Sequence, residues 1–276
     1  IYTIFIVLAG ITWMLRSKNK NNEALLISAY IVGVEVFLRM TEGNPIHELS
    51  KYLVVFFLFL GIYYKGFSKK SYVYILFLLL LIPGIIIGAN ALSFDVNVRK
   101  AIAFNISGPI CLAIAALYCY QRLITKKQMH TLLVFIGLPI LSMTIYLMLY
   151  TPSNKEIFIN TQSNFATSGG FGPNQVATIL GLGMFVFFAL AMLYSKTKRE
   201  ILVNLVIFVI ISYRGIVTFS RGGVITGAAM IVFFMIIIYY FSSPKVRGKL
   251  MTIVLFLLVG SGLLWSYSVS RTNGII

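Results

Sequence analysis

Charged residues are scarce in this sequence, and acidic residues are scarcer still. Only 11% of the 276 residues are charged, with 7 Asp and Glu against 23 Lys and Arg. A soluble domain carries about 25% charged residues, so this chain is not expected to fold in water. The net charge of +16 does not indicate a nucleic-acid partner either, because the cations recur between apolar runs rather than on one face.

Cysteine and histidine are also rare, with two of each. Cys111 and Cys119 are eight residues apart in one apolar run, about 12 Å along a helix, which is too far for a disulfide. His47 and His130 are predicted on opposite sides of the membrane, and no Cys/His cluster has the spacing of metal ligands. No P-loop pattern is present. The sequence therefore predicts neither a metal site nor a cofactor.

Apolar residues dominate instead, at 59% of the chain and a mean hydropathy of +0.93. Lipid offers no partner for backbone amides, so long apolar runs must form helices. The run from Ile75 to Ile87 does not alternate as a barrel strand would. We predict an all-α, polytopic transmembrane helix bundle in one domain over residues 1–276, with about ten spans. The spans are predicted near residues 1–15, 24–40, 50–64, 72–90, 101–119, 131–150, 174–195, 201–218, 223–241 and 250–268.

The cations alternate between the connectors of these runs. Fifteen of them fall three at a time in every second connector, and eight are spread over the rest of the chain. Short connectors rich in Lys and Arg stay in the cytoplasm. We therefore predict a cytoplasmic side that carries Arg16, Lys18, Lys20, Lys65, Lys69, Lys70, Arg122, Lys126, Lys127, Lys196, Lys198, Arg199, Lys245, Arg247 and Lys249.

The ends of the chain and its longest connector suggest further organisation. The chain opens on Ile1 with neither Met nor a basic leader, which predicts a fragment that lacks its true start. Residues 151–173 form the longest outward connector and end in a Gly-rich stretch. Such a stretch is typical of a flexible loop that leads into a helix.

Polar groups inside or beside membrane spans are costly, so they mark candidate functional residues. The clearest group runs from Thr218 to Gly223 and sets the permanent cation of Arg221 beside two glycines. If the preceding helix continues, Arg214 shares a face with Arg221 and the two can grip a diphosphate. The alternative is that both arginines reach lipid phosphates or pair with acids. Gly223 and Gly227 have the spacing of helix-packing glycines, and packing is their favoured role.

Two other polar groups lie toward the same side. Glu35 and Arg39 are four residues apart on one helix face, and we expect them to neutralise each other rather than bind substrate. Asp95, Arg99 and Lys100 can bind an anionic sugar or a lipid headgroup, although a solvated loop is the default interpretation.

Two segments of the second half of the chain form a distinctive pair. One is Ser220-Arg221-Gly222-Gly223 at an outward helix junction, and the other is Gly172-Pro173-Asn174-Gln175-Val176-Ala177 at the start of an earlier span. Together they resemble the bacterial O-antigen ligase and polymerase family. Pro173 precedes Ser220 by 47 residues. The resemblance covers residues 171–276, while the first 150 residues agree only in hydrophobicity and number of helices.

The resemblance implies an inverting, metal-independent glycosyltransferase on the outer face of the bacterial cytoplasmic (inner) membrane. Family members transfer a glycan from a polyprenyl diphosphate, such as undecaprenyl diphosphate, to a hydroxyl of lipid A-core, a glycan or a protein. They act in lipopolysaccharide and other surface polysaccharide biosynthesis. Arg221 then contacts the donor diphosphate as the catalytic arginine. Residues expected to bind substrate are Arg214, Ser220, Asn174, Arg271, Arg99 and Lys100.

Parts of the family pattern are expected to be missing. The family also uses a second arginine and a histidine in a large outward loop, which would follow about residue 268 and is expected to lie beyond this chain. Arg271 stands where that loop begins but is not equated with the second arginine. Asn174 has an alternative role as a helix cap.

Two other functional classes fit the composition. A transporter or flippase of lipid-linked glycans also needs many spans and cavity-lining cations. A structural membrane subunit explains the hydrophobicity but leaves the outward arginines without a role.

Overall fold

A computed structural model of the chain describes residues 1–92, 97–151, 165–218, 220–243 and 247–248. These residues form α-helices with short connectors, and no strand occurs among them. The helices are α1 (Tyr2–Ser17), α2 (Glu23–Met40), α3 (Leu49–Lys65), α4 (Tyr72–Ala91), α5 (Val98–Cys119), α6 (Lys126–Tyr150), α7 (Pro173–Ala189), α8 (Lys198–Val217) and α9 (Arg221–Phe241). They match the first nine predicted runs, and the tenth lies outside the described residues.

Six helices among the described residues are long and apolar enough to cross a membrane by length and composition. They are α4 with the 3-10 turn Lys69–Ser71 before it, α5, α6, α7 with the π-helical turn Leu190–Tyr194 after it, α8 and α9. The fold is therefore consistent with a helical membrane bundle. Helices α1 and α3 have 16 and 17 residues. Each covers about 25 Å at 1.5 Å per residue, slightly less than a typical hydrocarbon core.

Polar residues set several helix starts. Thr125 accepts the Gln128 backbone N–H, and the Gln128 side chain accepts the Thr125 N–H, which is a complete capping box at the start of α6. Thr197 caps α8 by accepting the N–H of Glu200. Pro173 is the first residue of α7, where its fixed φ and missing N–H cost nothing.

Three of the cation-rich connectors, those after α1, α3 and α5, meet at one end of the first eight helices. Lys65 Nζ donates to the Lys20 carbonyl at 2.6 Å, which joins the connector after α3 to the one after α1. The Arg122 guanidinium donates to Asn22 Oδ1 at 3.3 Å and to the Gly66 carbonyl at 2.9 Å. These three connectors share one end, which we call the basic end. The last turn before the connector after α7 lies there too, because the Tyr194 ring is 5.1 Å from the ring of His130 near the start of α6.

Burial differs sharply between helices. Helix α7 is the most enclosed of the six apolar helices, with 72% of its span buried, and Val176, Ala177 and Leu180 are fully covered. Helix α4 has no buried residue. Most of its apolar side chains are exposed, as expected of a helix that contacts lipid.

The chain divides into two compact units, Ile1–Gly227 and Ala228–Ile276. The first unit contains α1–α8 and the first two turns of α9. In the second unit, α9 continues to Phe241. Arg247 there donates to the carbonyls of Tyr239 and Tyr240 at 2.9 and 3.1 Å, and its guanidinium lies 5.3 Å from the Tyr239 ring centroid.

Candidate functional site

The site is at the end of the first unit opposite the basic end, where α7 and α9 begin. Ser220 Oγ donates to Asn174 Oδ1 at 2.8 Å. This bond joins the two segments that carry the family resemblance, although they are 46 residues apart. Gly172 occupies the cap position of α7, so Asn174 does not cap the helix and its side chain turns to Ser220 instead.

A short, hydrogen-bonded turn connects α8 to α9. Thr218 Oγ1 donates to the Gly215 carbonyl at 2.7 Å and accepts the Ser220 N–H at 3.3 Å. Thr218 is fully buried and Ser220 is 6% exposed. The turn therefore fixes Ser220, and with it the start of α9. Phe219, within the same motif, lies outside the described residues.

Arg221 is the first residue of α9 and is exposed. No carboxylate among the described residues lies within 4 Å of its guanidinium. The first amides of a helix point outward without an intrahelical partner and favour anions. A Cβ added at Gly222 would meet no atom of the described residues within 4 Å, so that part of the structure leaves the space beside these amides open. Arg221 and Gly222 together form an accessible, cationic surface.

Arg214 is positioned differently from the prediction. Helix α8 ends at Val217, so it does not continue to Arg221 and the condition for a shared helix face is not met. The Arg214 side chain is buried, and its Nη2 donates to Thr151 Oγ1 at 2.9 Å and to the Thr167 carbonyl at 3.1 Å. It joins the end of α6 to the 3-10 turn Ala166–Ser168 that precedes α7.

These hydrogen bonds predict that Arg214 stabilises the fold by holding the end of α6 against the turn before α7. We expect Arg214→Met to destabilise the protein by about 2 kcal/mol, because hydrogen bonds from a buried charged group are lost. Arg221→Met, an exposed arginine changed in the same way, should cost under about 0.5 kcal/mol. Thermal unfolding in detergent measures both. An unchanged melting temperature for Arg214→Met, with transfer lost, would instead favour the predicted contact between Arg214 and the diphosphate.

The motif's second glycine packs against another helix, as the sequence predicted. A Cβ on Gly223 would lie 2.2 Å from the Ala177 carbonyl carbon, and one on Gly227 would lie 2.7 Å from the Gly181 carbonyl oxygen. Small residues on both helices thus allow α7 and α9 to touch along their backbones.

The remaining predicted residues do not join this site in the described part of the chain. Arg99 and Lys100 are exposed in the first turn of α5, where the Lys100 backbone N–H donates to Asn97 Oδ1 at 3.0 Å. Asp95, predicted to cluster with them, and Arg271 lie outside the described residues. Their substrate roles stay predictions.

A polar network that the sequence did not predict lies beside the site. Glu35 and Arg39 pair as expected, with 2.5 Å between Oε1 and Nη2. Arg39 Nη1 also lies 3.2 Å from His47 Nε2 and 3.4 Å from Gln175 Oε1. Because Gln175 follows Asn174, this network adjoins the Asn174–Ser220 bond. Only the four-residue spacing of Glu35 and Arg39 was a signal in the sequence.

Glu48 extends this network toward α5. Its Oε2 accepts from Ser107 Oγ at 3.1 Å and pairs with Lys51 Nζ. Burial alone raises the pKa of Glu48, but hydrogen bonds from Lys51 and Ser107, the Lys51 charge and the more distant Arg39 charge outweigh burial, so the pKa is lowered. Glu48 is therefore an ionised carboxylate at neutral pH.

Comparison of the chain with known proteins finds no matching family model, no matching curated protein and no matching solved structure. The family resemblance therefore rests on the two segments joined by Asn174 and Ser220.

Proposed function

We propose that this chain belongs to a membrane glycan ligase or polymerase, which transfers a glycan from a polyprenyl diphosphate to a hydroxyl acceptor. The observation that carries this proposal is the Ser220–Asn174 hydrogen bond. It brings together the two segments that resemble O-antigen ligases. Arg221 lies beside them, exposed and without a described acidic partner, at the start of α9. Its guanidinium and the first backbone N–H groups of that helix are donors suited to a diphosphate.

The proposed reaction needs little from the protein beyond charge stabilisation. The acceptor oxygen attacks the anomeric carbon, and its proton passes to solvent. The bond from that carbon to the diphosphate oxygen breaks, its electron pair stays on that oxygen, and polyprenyl diphosphate leaves. Direct attack inverts the anomeric configuration. Negative charge grows on the leaving diphosphate, where the Arg221 guanidinium and the first amides of α9 stabilise it. Diphosphate is a good leaving group, so this scheme includes no metal step.

The proposal also includes orientation. The basic end faces the cytoplasm and the Arg221 end faces the periplasm or the cell exterior, because short cationic connectors are retained inside. The protein is then a multi-pass protein of the bacterial cytoplasmic membrane. Its partners are the lipid-linked donor, a hydroxyl acceptor on lipid A-core, glycan or protein, and the surrounding lipids.

Cysteine labelling tests this orientation. With Cys111 and Cys119 replaced by Ala, we expect Ile46→Cys to react with an impermeant maleimide in intact cells. Leu123→Cys and Lys196→Cys, in two cation-rich connectors, should react only after permeabilisation. All three positions are exposed, so access depends on the side of the membrane. Labelling of the basic-end positions in intact cells would overturn both the orientation and the proposed site.

Transfer itself is tested in a strain that lacks this protein. Gel ladders of surface polysaccharide should lose their long chains if the protein is a polymerase. Complete polymer left on its lipid carrier would identify a ligase. An unchanged ladder contradicts both activities, and lipid-linked glycan held on the cytoplasmic face would identify a flippase.

A further inference from the structure

An open cavity lies at the basic end, between the connector after α3 and the connector after α5. Its volume is about 380 Å³, and Lys65, Ser68, Gln121 and Arg122 line it. The described residues that line this cavity include two cations and no carboxylate. We call it the basic cavity. Its charge favours an anionic ligand, and its opening lets one enter.

The two cations of the basic cavity retain hydrogen-bond donors. Lys65 Nζ has three N–H groups and gives one described hydrogen bond, at 2.6 Å to a backbone carbonyl. The Arg122 guanidinium has five N–H groups and gives three, to one side chain and two carbonyls. No described carboxylate lies within 4 Å of either cation. Both side chains can therefore donate to an anion while they keep their contacts within the protein.

Arg122 is held in place before any ligand binds. Its Cζ lies 3.8 Å from the centroid of the Tyr118 ring, and its Nε donates to the Tyr118 carbonyl at 2.8 Å. Its Nη atoms bond to the connectors after α1 and α3, through Asn22 and Gly66. A ligand that binds this guanidinium does not have to immobilise it, which lowers the entropic cost of binding.

The rim of the basic cavity is apolar and lies at the end of three apolar helices. Phe67, Tyr120 and Leu123 belong to the lining and are exposed, Leu123 by 93%. The cavity lies where α4 begins, α5 ends and α6 begins, and each of these helices is long and apolar enough to cross a membrane. Their common end therefore corresponds to a membrane surface, where cations and aromatic rings meet lipid headgroups.

We propose that the basic cavity binds the phosphate of an anionic phospholipid, in the membrane leaflet at the basic end. Lys65 and Arg122 donate to the phosphate oxygens, and the apolar rim contacts the start of the acyl chains. A soluble phosphate could accept the same hydrogen bonds but would leave the rim uncovered. A choline headgroup would add a third cation, so a headgroup with net negative charge is favoured. The site does not depend on glycan transfer, because Arg221 lies at the opposite end.

Native mass spectrometry of the full-length protein in detergent tests the lipid site. The probes are phosphatidylglycerol, phosphatidylcholine and glycerol 3-phosphate. We expect the first phosphatidylglycerol to bind about tenfold more tightly than phosphatidylcholine, because only the former has a net charge near the two cations. Lys65→Gln should weaken phosphatidylglycerol binding about fivefold and leave phosphatidylcholine binding unchanged. Lys65→Arg, which keeps the charge, should retain the preference.

Lys198→Gln is the matched control for Lys65→Gln. It removes the same charge from an exposed lysine at the basic end that does not line the cavity, so phosphatidylglycerol should bind as it does to the unmodified protein. Lys65 is also exposed, and its replacement should leave the melting temperature unchanged. Equal affinity for the two lipids would overturn the site, and so would equal losses in Lys65→Gln and Lys198→Gln. Displacement of phosphatidylglycerol by glycerol 3-phosphate would show that the occupant is a soluble phosphate instead.

Discussion

Replacing Arg221 with Ala will reduce glycan transfer by about two to three orders of magnitude and leave the protein folded in the membrane. The side chain is exposed and has no described carboxylate partner, so its removal costs little stability. In the proposed mechanism, its charge stabilises the diphosphate as it leaves. Arg221→Lys should also be impaired, because an ammonium keeps the charge but lacks the planar pair of donors that match a phosphate.

Surface glycan on gel ladders and membrane abundance on immunoblots measure these two effects separately. Arg199→Ala is the matched control. Arg199 is also an exposed arginine in the first turn of an apolar helix, α8, but it lies at the basic end. Its replacement should leave the ladder unchanged. An unchanged surface-glycan ladder in Arg221→Ala, at unchanged membrane abundance, would contradict the proposed site.

Local patterns in the sequence predicted the helices and one ion pair. Apolar runs separated by Gly, Pro and cations predicted α1–α9, because each run must satisfy its backbone amides internally. The four-residue spacing of Glu35 and Arg39 predicted their contact, since such residues share a helix face. The four-residue spacing of Gly223 and Gly227 likewise places them on one helix face and predicted that they pack against another helix. These inferences depend on neighbours within one helix.

Such patterns do not predict which side chains from different helices contact each other. Ser107 contacts Glu48 from 59 residues away, and Arg39 contacts Gln175 from 136 residues away. Neither pair has a periodic signal, because each depends on which helices become neighbours. The proposed shared face of Arg214 and Arg221 did not form for a related reason. Thr218 hydrogen-bonds back to Gly215 and ends α8, so a seven-residue spacing no longer corresponds to two helical turns.

The two glycines of the motif should respond in opposite ways to the same substitution. Gly223→Ala places a methyl group 2.2 Å from the Ala177 carbonyl carbon and 2.4 Å from the Thr178 nitrogen. Both are backbone atoms, so a change of side-chain rotamer cannot relieve the clash. Helix α9 must therefore move away from α7. We expect a loss of about 3 kcal/mol, together with lower membrane abundance, because overpacking between rigid backbones is poorly relieved.

Gly222→Ala is the matched control for this contact. Its added methyl group meets no atom within 4 Å in the described part of the chain, and alanine favours a helix over glycine by up to about 1 kcal/mol, so folding should be unchanged or improved. Thermal unfolding of both variants, followed by size-exclusion chromatography of fluorescent fusions, compares them directly. Equal melting temperatures would contradict the backbone contact between α7 and α9. A folded Gly222→Ala protein with weakened transfer would indicate that the diphosphate approaches α9 through the space beside Gly222. The added methyl group contacts no described protein atom, so its effect would come from a clash with the bound ligand.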